Sequence, residues 1–243
     1  MAGQNFILER LPKRVLDSLF QHATQMELRQ GAVLQEAGRT VEQVYFPLSG
    51  MISLLAVTTA GESIETGIVG REGVVCGSLA ASGLPSFAQA IVQVAGQGLR
   101  VGAAPFRALC QEHPALRAEA DRYQAFVLLQ AQQNTACHAL HSLEGRLSRW
   151  LLQSQDLIES NRVELTQEFL SYMLGVRRPT VSVAAGLLQK DGLIQYHRGT
   201  IIILDRGGLM RRSCQCFGVL HEEMKAHRAG VPAEPASGRP TGR

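Results

Sequence analysis

With 243 residues, 45% of them hydrophobic and 19% charged, the chain is long enough for one large or two medium globular domains around a substantial core. No apolar run approaches the roughly 18 residues of a membrane span. The first ten residues lack the basic-then-apolar pattern of an export signal, so a cytoplasmic location is expected. A net charge of +3 does not announce a nucleic-acid partner, but the charge is unevenly spread. Residues 1–141 carry ten basic and eleven acidic side chains, whereas residues 177–212 carry seven and two. A short, strongly positive stretch is what phosphate contact requires.

The first predicted element is a short amphipathic helix over residues 11–23, with Leu11, Val15, Leu19 and Phe20 on one side. From about residue 26 to 101 the texture changes. Short apolar runs (32–34, 44–46, 52–55, 64–69 and 90–94) alternate with turn glycines, which predicts a compact antiparallel barrel or roll. Residues 114–142 then contain no glycine and no proline after Pro114. A helix of that length runs about 42 Å. Leu116, Tyr123, Phe126, Leu129 and Gln133 recur near heptad spacing, and a helix so long usually pairs with another, so these five are expected to form a dimer seam. A further amphipathic helix is predicted over residues 143–158, through Leu147, Trp150, Leu151 and Ile158.

The most informative stretch begins at Leu165. Thr166 suits the N-cap of a short helix whose inner face is Phe169, Leu170 and Met173. Gly175 supplies a tight turn, and Pro179 falls in the first turn of the next helix, where its missing N–H costs little. Val181, Ala184, Ala185 and Leu188 form the inner face of that second helix, leaving Arg177, Arg178, Ser182, Val183 and Gln189 to face outward. Two β-rich runs then flank His197-Arg198-Gly199, a hairpin signal. Helix, glycine turn, helix and hairpin in that order predict a winged helix-turn-helix, with basic residues where a recognition helix meets base edges. Thr166, Arg177, Arg178, Thr180, Ser182, Val183, Gln189 and Arg198 are the candidate DNA contacts.

Catalysis is not indicated. The sequence has no nucleophile elbow, no phosphate-cradling glycine loop and no metal-binding triad, and the glycines of residues 67–77 lie among strands. The five cysteines (Cys76, Cys110, Cys137, Cys214 and Cys216) make no disulfide framework in a chain without an export signal. Cys214-x-Cys216 lacks the usual zinc or redox spacing and reads as small residues at a packed helix, so no metal site or cofactor is expected. Residues 229–243, rich in Gly, Pro and Ala, cannot bury a core and are expected to form a disordered tail.

The chain up to about residue 228 resembles the Crp/Fnr family of bacterial regulators. The likeness rests on Gly31-Ala-Val-Leu-Gln-Glu-Ala-Gly38 and Val44-Tyr-Phe-Pro-Leu-Ser-Gly50, then on Glu168, Gly175, Val176, Arg178, Thr180, Val181 and Gly192-Leu-Ile. Arg211-Arg-Ser-Cys-Gln-Cys-Phe is similar to the ending of a less-studied branch. The resemblance implies an α+β protein: a β-roll sensor with its N-terminal helix (1–113), a dimerisation helix (114–142) and a winged helix-turn-helix (143–228). It also implies a homodimer on palindromic double-stranded DNA, acting with RNA polymerase.

The resemblance breaks where the family holds cyclic nucleotides. Its binders carry Gly-Glu for the ribose and Arg-Ser/Thr-Ala for the phosphate. Here Gly77 is followed by Ser78, and Ala88-Gln89 stand where Arg-Ser would be, with no basic residue between Arg71 and Arg100. Gly77, Ser78, Leu79, Ala88 and Gln89 therefore mark a candidate pocket for some other small-molecule effector, lined by Val74, Val75, Ala80, Ala81, Leu84, Phe87 and Ile91, or a roll that serves as scaffold. The N-terminal cysteine cluster of iron–sulfur sensors is missing, since the first cysteine is Cys76. A haem- or redox-responsive regulator, with Cys76, His138 or His141 as ligand, is the alternative, as is a ligand-binding roll without a DNA role. Pro179 and Val183 replace an acidic and a basic base-reading residue of the family, so the operator should differ from its usual consensus.

Overall fold

The computed structural model describes residues 5–230. Two short helices open it, α1 (Phe6–Glu9) and α2 (Lys13–Phe20). The helix expected over 11–23 is α2, shortened at its start because Pro12 is its N-cap and at its end because Ala23 opens the first strand; α1 before it was not anticipated. Five predicted strands follow among seven: β1 (Ala23–Leu28), β2 (Val33–Gln35), β3 (Gln43–Pro47), β4 (Met51–Val57), β5 (Ser63–Val69), β6 (Ala88–Val94) and β7 (Gly96–Gly102). They form two antiparallel sheets, ordered β1-β7-β3 and β2-β6-β4-β5, with helix α3 (Gly77–Ser82) between β5 and β6. Helix α4 (Ala103–Glu112) leads into the long helix α5 (Pro114–Leu140).

Alternation along β4 and β5 places these strands between two cores. Ile52 and Val69 belong to the roll interior, whereas their neighbours Met51 and Ile68 belong to the core of the C-terminal half. Ser53 points the same way as Met51 and donates to Glu65 at 2.6 Å, and Trp150 donates its indole N–H to the other oxygen of Glu65 at 2.9 Å. All three side chains are buried, so a polar triad sits where the two halves meet.

The residues expected to form a dimer seam on α5 are largely covered by the chain's own elements. Leu116, Tyr123 and Phe126 are buried in the roll's own core, Leu129 is half-buried, and Gln133 donates to the Cys216 sulfur at 2.9 Å. These are the helix's largest apolar side chains, and the chain's own sheet offers them the nearest apolar cover. The opposite face is exposed along Ala118, Asp121, Ala125, Leu128, Gln132, Thr135 and Ala139, a run with alternating three- and four-residue steps. Leu128, at 57% exposure, stands at its middle.

The C-terminal half contains α6 (Leu143–Ile158), β8 (Arg162–Glu164), α7 (Gln167–Leu174), α8 (Arg178–Lys190), β9 (Ile194–His197), β10 (Thr200–Ile203), α9 (Arg206–Arg212) and α10 (Cys216–Ala229). The sheet order is β8-β10-β9. Helix α6 starts from Ser142, whose hydroxyl accepts from Gly145 N at 3.3 Å. Helix α10 turns back onto α5, where His227 stacks on Phe126 at 5.5 Å between ring centroids. Ala229 therefore ends a helix, and the rest of the expected tail, residues 231–243, lies outside the described residues. Among those residues no helix is long and apolar enough to cross a membrane.

Candidate nucleic-acid interface

The local chemistry read from the sequence builds the helix-turn-helix. Thr166 Oγ1 accepts from Phe169 N at 3.3 Å and caps α7. Gly175 ends that helix at φ +60°, a left-handed conformation that glycine adopts without strain. A side chain there would also strike Ile64 of β5, since a Cβ would lie 2.8 Å from its terminal carbon. Arg177 is the N-cap of α8, with Arg178 and Pro179 in its first turn. Val181, Ala184, Ala185 and Leu188 are buried as expected, which fixes the rotation of α8 and turns its other side to solvent.

On that outer side Arg177, Arg178, Thr180, Ser182 and Gln189 are exposed, together with Val183 at 65%. Arg178 reaches the Glu168 carboxylate at 3.5 Å, and Tyr172 donates to the same carboxylate at 3.2 Å. That bond holds the Tyr172 hydroxyl above its ordinary pKa, so the tyrosine stays a donor. A pair this open contributes little stability, but it orients the guanidinium without consuming its other donors. Ser182 Oγ donates back to the Arg178 carbonyl at 3.2 Å. Gln189 differs from the expectation of a free DNA contact: its side-chain oxygen accepts from Tyr196 N at 2.7 Å and braces α8 against β9.

The hairpin turn is tighter than the three residues suggested by sequence. His197 pairs with Thr200, so Arg198 and Gly199 alone make the turn, at φ 45° and 80°. Both central residues at positive φ are the mark of a two-residue hairpin turn matched to strand twist. A cleft of about 360 Å³ separates this wing tip from the helix-turn-helix and is lined by Thr166, Gln167, Arg178, Tyr196, Arg198 and Gly199. Two arginines thus face one open groove from separate elements.

The candidate effector residues are less unified. Gly77, Ser78 and Leu79 belong to α3, and Ser78 Oγ donates to Asp121 of α5 at 2.6 Å. Ala88 and Gln89 open β6, with Gln89 donating to Glu36 at 2.9 Å. Val74, Val75, Ala80 and Ala81 are core residues, but Leu84 and Phe87 stand at the surface, Phe87 at 84% exposure, and do not join them in a lining. Short loop positions beside Pro85 cannot be assigned a face by alternation, which is why the sequence misplaced them. The basic residues that come near α3 belong to later helices: Arg107 donates to Ala80 O at 3.0 Å, and Arg117 to Ser82 at 3.1 Å. Of the residues weighed as haem ligands, Cys76 precedes α3 and packs on the roll core, His138 contacts Arg146, and His141 faces Cys216. The Ser53–Glu65–Trp150 triad was not anticipated, because nothing in the sequence links a strand acid to a tryptophan 85 positions later.

Comparison with known proteins bears on both halves. The model of the Crp-like helix-turn-helix domain matches residues 145–212, and that of the cyclic nucleotide-binding domain matches residues 25–113. No curated protein matches the chain. Among solved structures, the chain is similar to a Crp/Fnr-family transcriptional regulator from Thermus thermophilus, with a TM-score of 0.63 and 21% identity, covering 78% of this chain and 98% of that one. It is also similar to FixK2 from Bradyrhizobium japonicum (TM-score 0.65, 15% identity, 79% and 98% covered). A third similar structure is CLP of Xanthomonas campestris, described as a c-di-GMP responsive global regulator (0.66, 14%, 80% and 100%).

Proposed function

Since the chain belongs to the Crp/Fnr family of transcription regulators, we propose that it acts as a homodimer that lays α8 of each protomer into the major groove of a palindromic operator. The observation that carries this reading is the exposed first turn of α8, which presents Arg178 over the cleft that Arg198 closes from the wing. Residues 1–113 are then the sensor or scaffold, 114–142 the pairing helix and 143–228 the DNA-binding unit. RNA polymerase is the partner through which such a dimer would act.

Arg178 reads a guanine through O6 and N7, and Val183 offers an apolar contact for a thymine methyl group. Arg177, Thr180 and Arg198 hold phosphates, with Thr166 and Ser182 at the margins of the same face. Arg178→Ala should cost roughly 1–3 kcal/mol and relax preference at one base pair per half-site, whereas Arg198→Ala should weaken all sequences alike and lower the salt slope by about one per contact. Selection from a randomised site, followed by titration at several salt concentrations, separates the two. Unchanged selectivity in Arg178→Ala would overturn the assignment.

The signal sensed by the roll is not a cyclic mononucleotide. Ser78 stands in place of the ribose-holding acid and is engaged with Asp121, and Ala88 offers nothing to a phosphate. Enclosing that anion without a cation costs several kcal/mol. Calorimetric titration with cyclic AMP and cyclic GMP should show no binding in the micromolar range, and a micromolar constant for either would refute this. A neutral or apolar effector, or a rigid scaffold, fits the residues better.

A further inference from the structure

The end of α5 and the start of α10 bring together four side chains that lie far apart in sequence. Cys137 and His141 stand one helical turn apart, Cys214 lies in the turn that follows α9, and Cys216 is the first residue of α10. The Cys137 and Cys214 sulfurs are 3.4 Å apart, and Cys216 Sγ lies 3.4 Å from His141 Nδ1. All four donor atoms fall within 4.8 Å of one another. Bonds of about 2.3 Å to sulfur and 2.0 Å to nitrogen around one tetrahedral ion place neighbouring donors roughly 3.5–3.8 Å apart, so little movement closes the cage. The wider spacing of a multi-iron cluster does not match so compact a set.

The surroundings favour such a centre. Arg146 and Arg149 of α6 are buried, and the Nε of each has no hydrogen-bond partner among the described residues. A divalent ion with three thiolates and a neutral imidazole carries one net negative charge, which these guanidiniums would balance. Gln133 Nε2 already donates to the Cys216 sulfur, the kind of outer hydrogen bond that orients a metal thiolate. Cys214 N also donates to Gly145 O at 3.3 Å, tying the cluster to the first turn of α6. A single isolated thiol needs none of this.

We propose that Cys137, His141, Cys214 and Cys216 bind one zinc-class divalent ion, the three thiols releasing their protons to solvent as the ion enters. The ion would clamp α10 and the first turn of α6 to the end of α5. That is the two-residue junction, His141 and Ser142, through which the long helix hands over to the DNA-binding half.

The full-length protein, purified under reducing conditions without chelator, should contain about one equivalent of zinc by elemental mass spectrometry. Replacement by cobalt(II) should give the intense visible bands of tetrahedral thiolate coordination. Thiol alkylation followed by peptide mapping gives a readout on the unaltered chain: removing the ion with a chelator should expose Cys137, Cys214 and Cys216 while leaving Cys76 and Cys110 unchanged. Cys214→Ser should lose the zinc and the cobalt spectrum, and Cys110→Ser should keep both. Substoichiometric metal with no cobalt spectrum would overturn the proposal. So would zinc retained in Cys214→Ser, or a Cys137–Cys214 disulfide whose reduced form takes up neither ion.

Discussion

Leu128→Glu should leave a folded protein that sediments as a monomer and has lost roughly 10²–10⁴-fold in operator affinity. Leu128 is exposed at the centre of a stripe that steps by three and four residues along α5, flanked by Ala125 and Gln132. The alanines at 118, 125 and 139 along this stripe allow two such helices to approach closely, and near a two-fold axis each carboxylate would meet its own copy. Losing the dimer separates two recognition helices that must sit about 34 Å apart on one face of the duplex, so the second half-site no longer binds as an intramolecular event. Phe126→Glu provides the contrast. Phe126 packs on Tyr123 and His227 inside the protomer, so a charge there should unfold the chain rather than divide a dimer. Analytical ultracentrifugation with circular dichroism distinguishes these outcomes. A Leu128→Glu dimer that still binds its palindrome tightly would move the seam off this face.

The difference between those two residues shows where sequence reading reached its limit. The length of α5, the helix over Leu143–Ile158 and the helix-turn-helix with its wing were all legible, because each is specified by signals a few residues apart: Thr166 before Phe169, Gly175 before Pro179, Arg198 before Gly199. Which face of α5 turns inward was not, since both faces repeat at heptad spacing and only the surrounding sheets decide between them. Strand β1 reads Ala-Thr-Gln-Met-Glu-Leu and β7 Gly-Gln-Gly-Leu-Arg-Val-Gly; neither alternates strongly, and each becomes a strand by pairing with the other. At Gly98 a Cβ would stand 3.2 Å from the Phe46 carbonyl oxygen, so the approach of β3 favours glycine there, a constraint invisible in one strand alone. The Cys137, His141, Cys214 and Cys216 group was hidden for the same reason. Two half-sites separated by most of the DNA-binding unit carry no local spacing to recognise.

Replacing Glu65 with Gln should change how stability depends on pH, and it should do so in one direction. The Glu65 carboxyl is fully buried between β5 and α6, and burial pushes it up to about 7, against the smaller opposing effects of the Ser53 hydroxyl, Arg149 and the Trp150 indole. An unfolded chain releases that proton near pH 4.5, so between about pH 4.5 and 7 the folded state holds a proton that the unfolded state has lost. Folding stability contributed by this acid is complete below that window and falls as pH rises through it, by on the order of 3 kcal/mol. Glu65→Gln does not titrate, so the stability of the variant relative to the parent should climb from pH 4.5 to 7 and level off above. Buried His227 is common to both proteins and cancels in the comparison, and His138, which is hydrogen-bonded to the Glu65 backbone, is held down at about 4 by burial and by Arg146 and Arg149, at the foot of this window. Because the triad lies where the roll meets the DNA-binding half, the parent should also show a pH-dependent change in operator affinity that the variant lacks. Denaturant titrations of both proteins across that range supply the test, and parallel stability curves would mean that Glu65 ionises as an ordinary exposed acid.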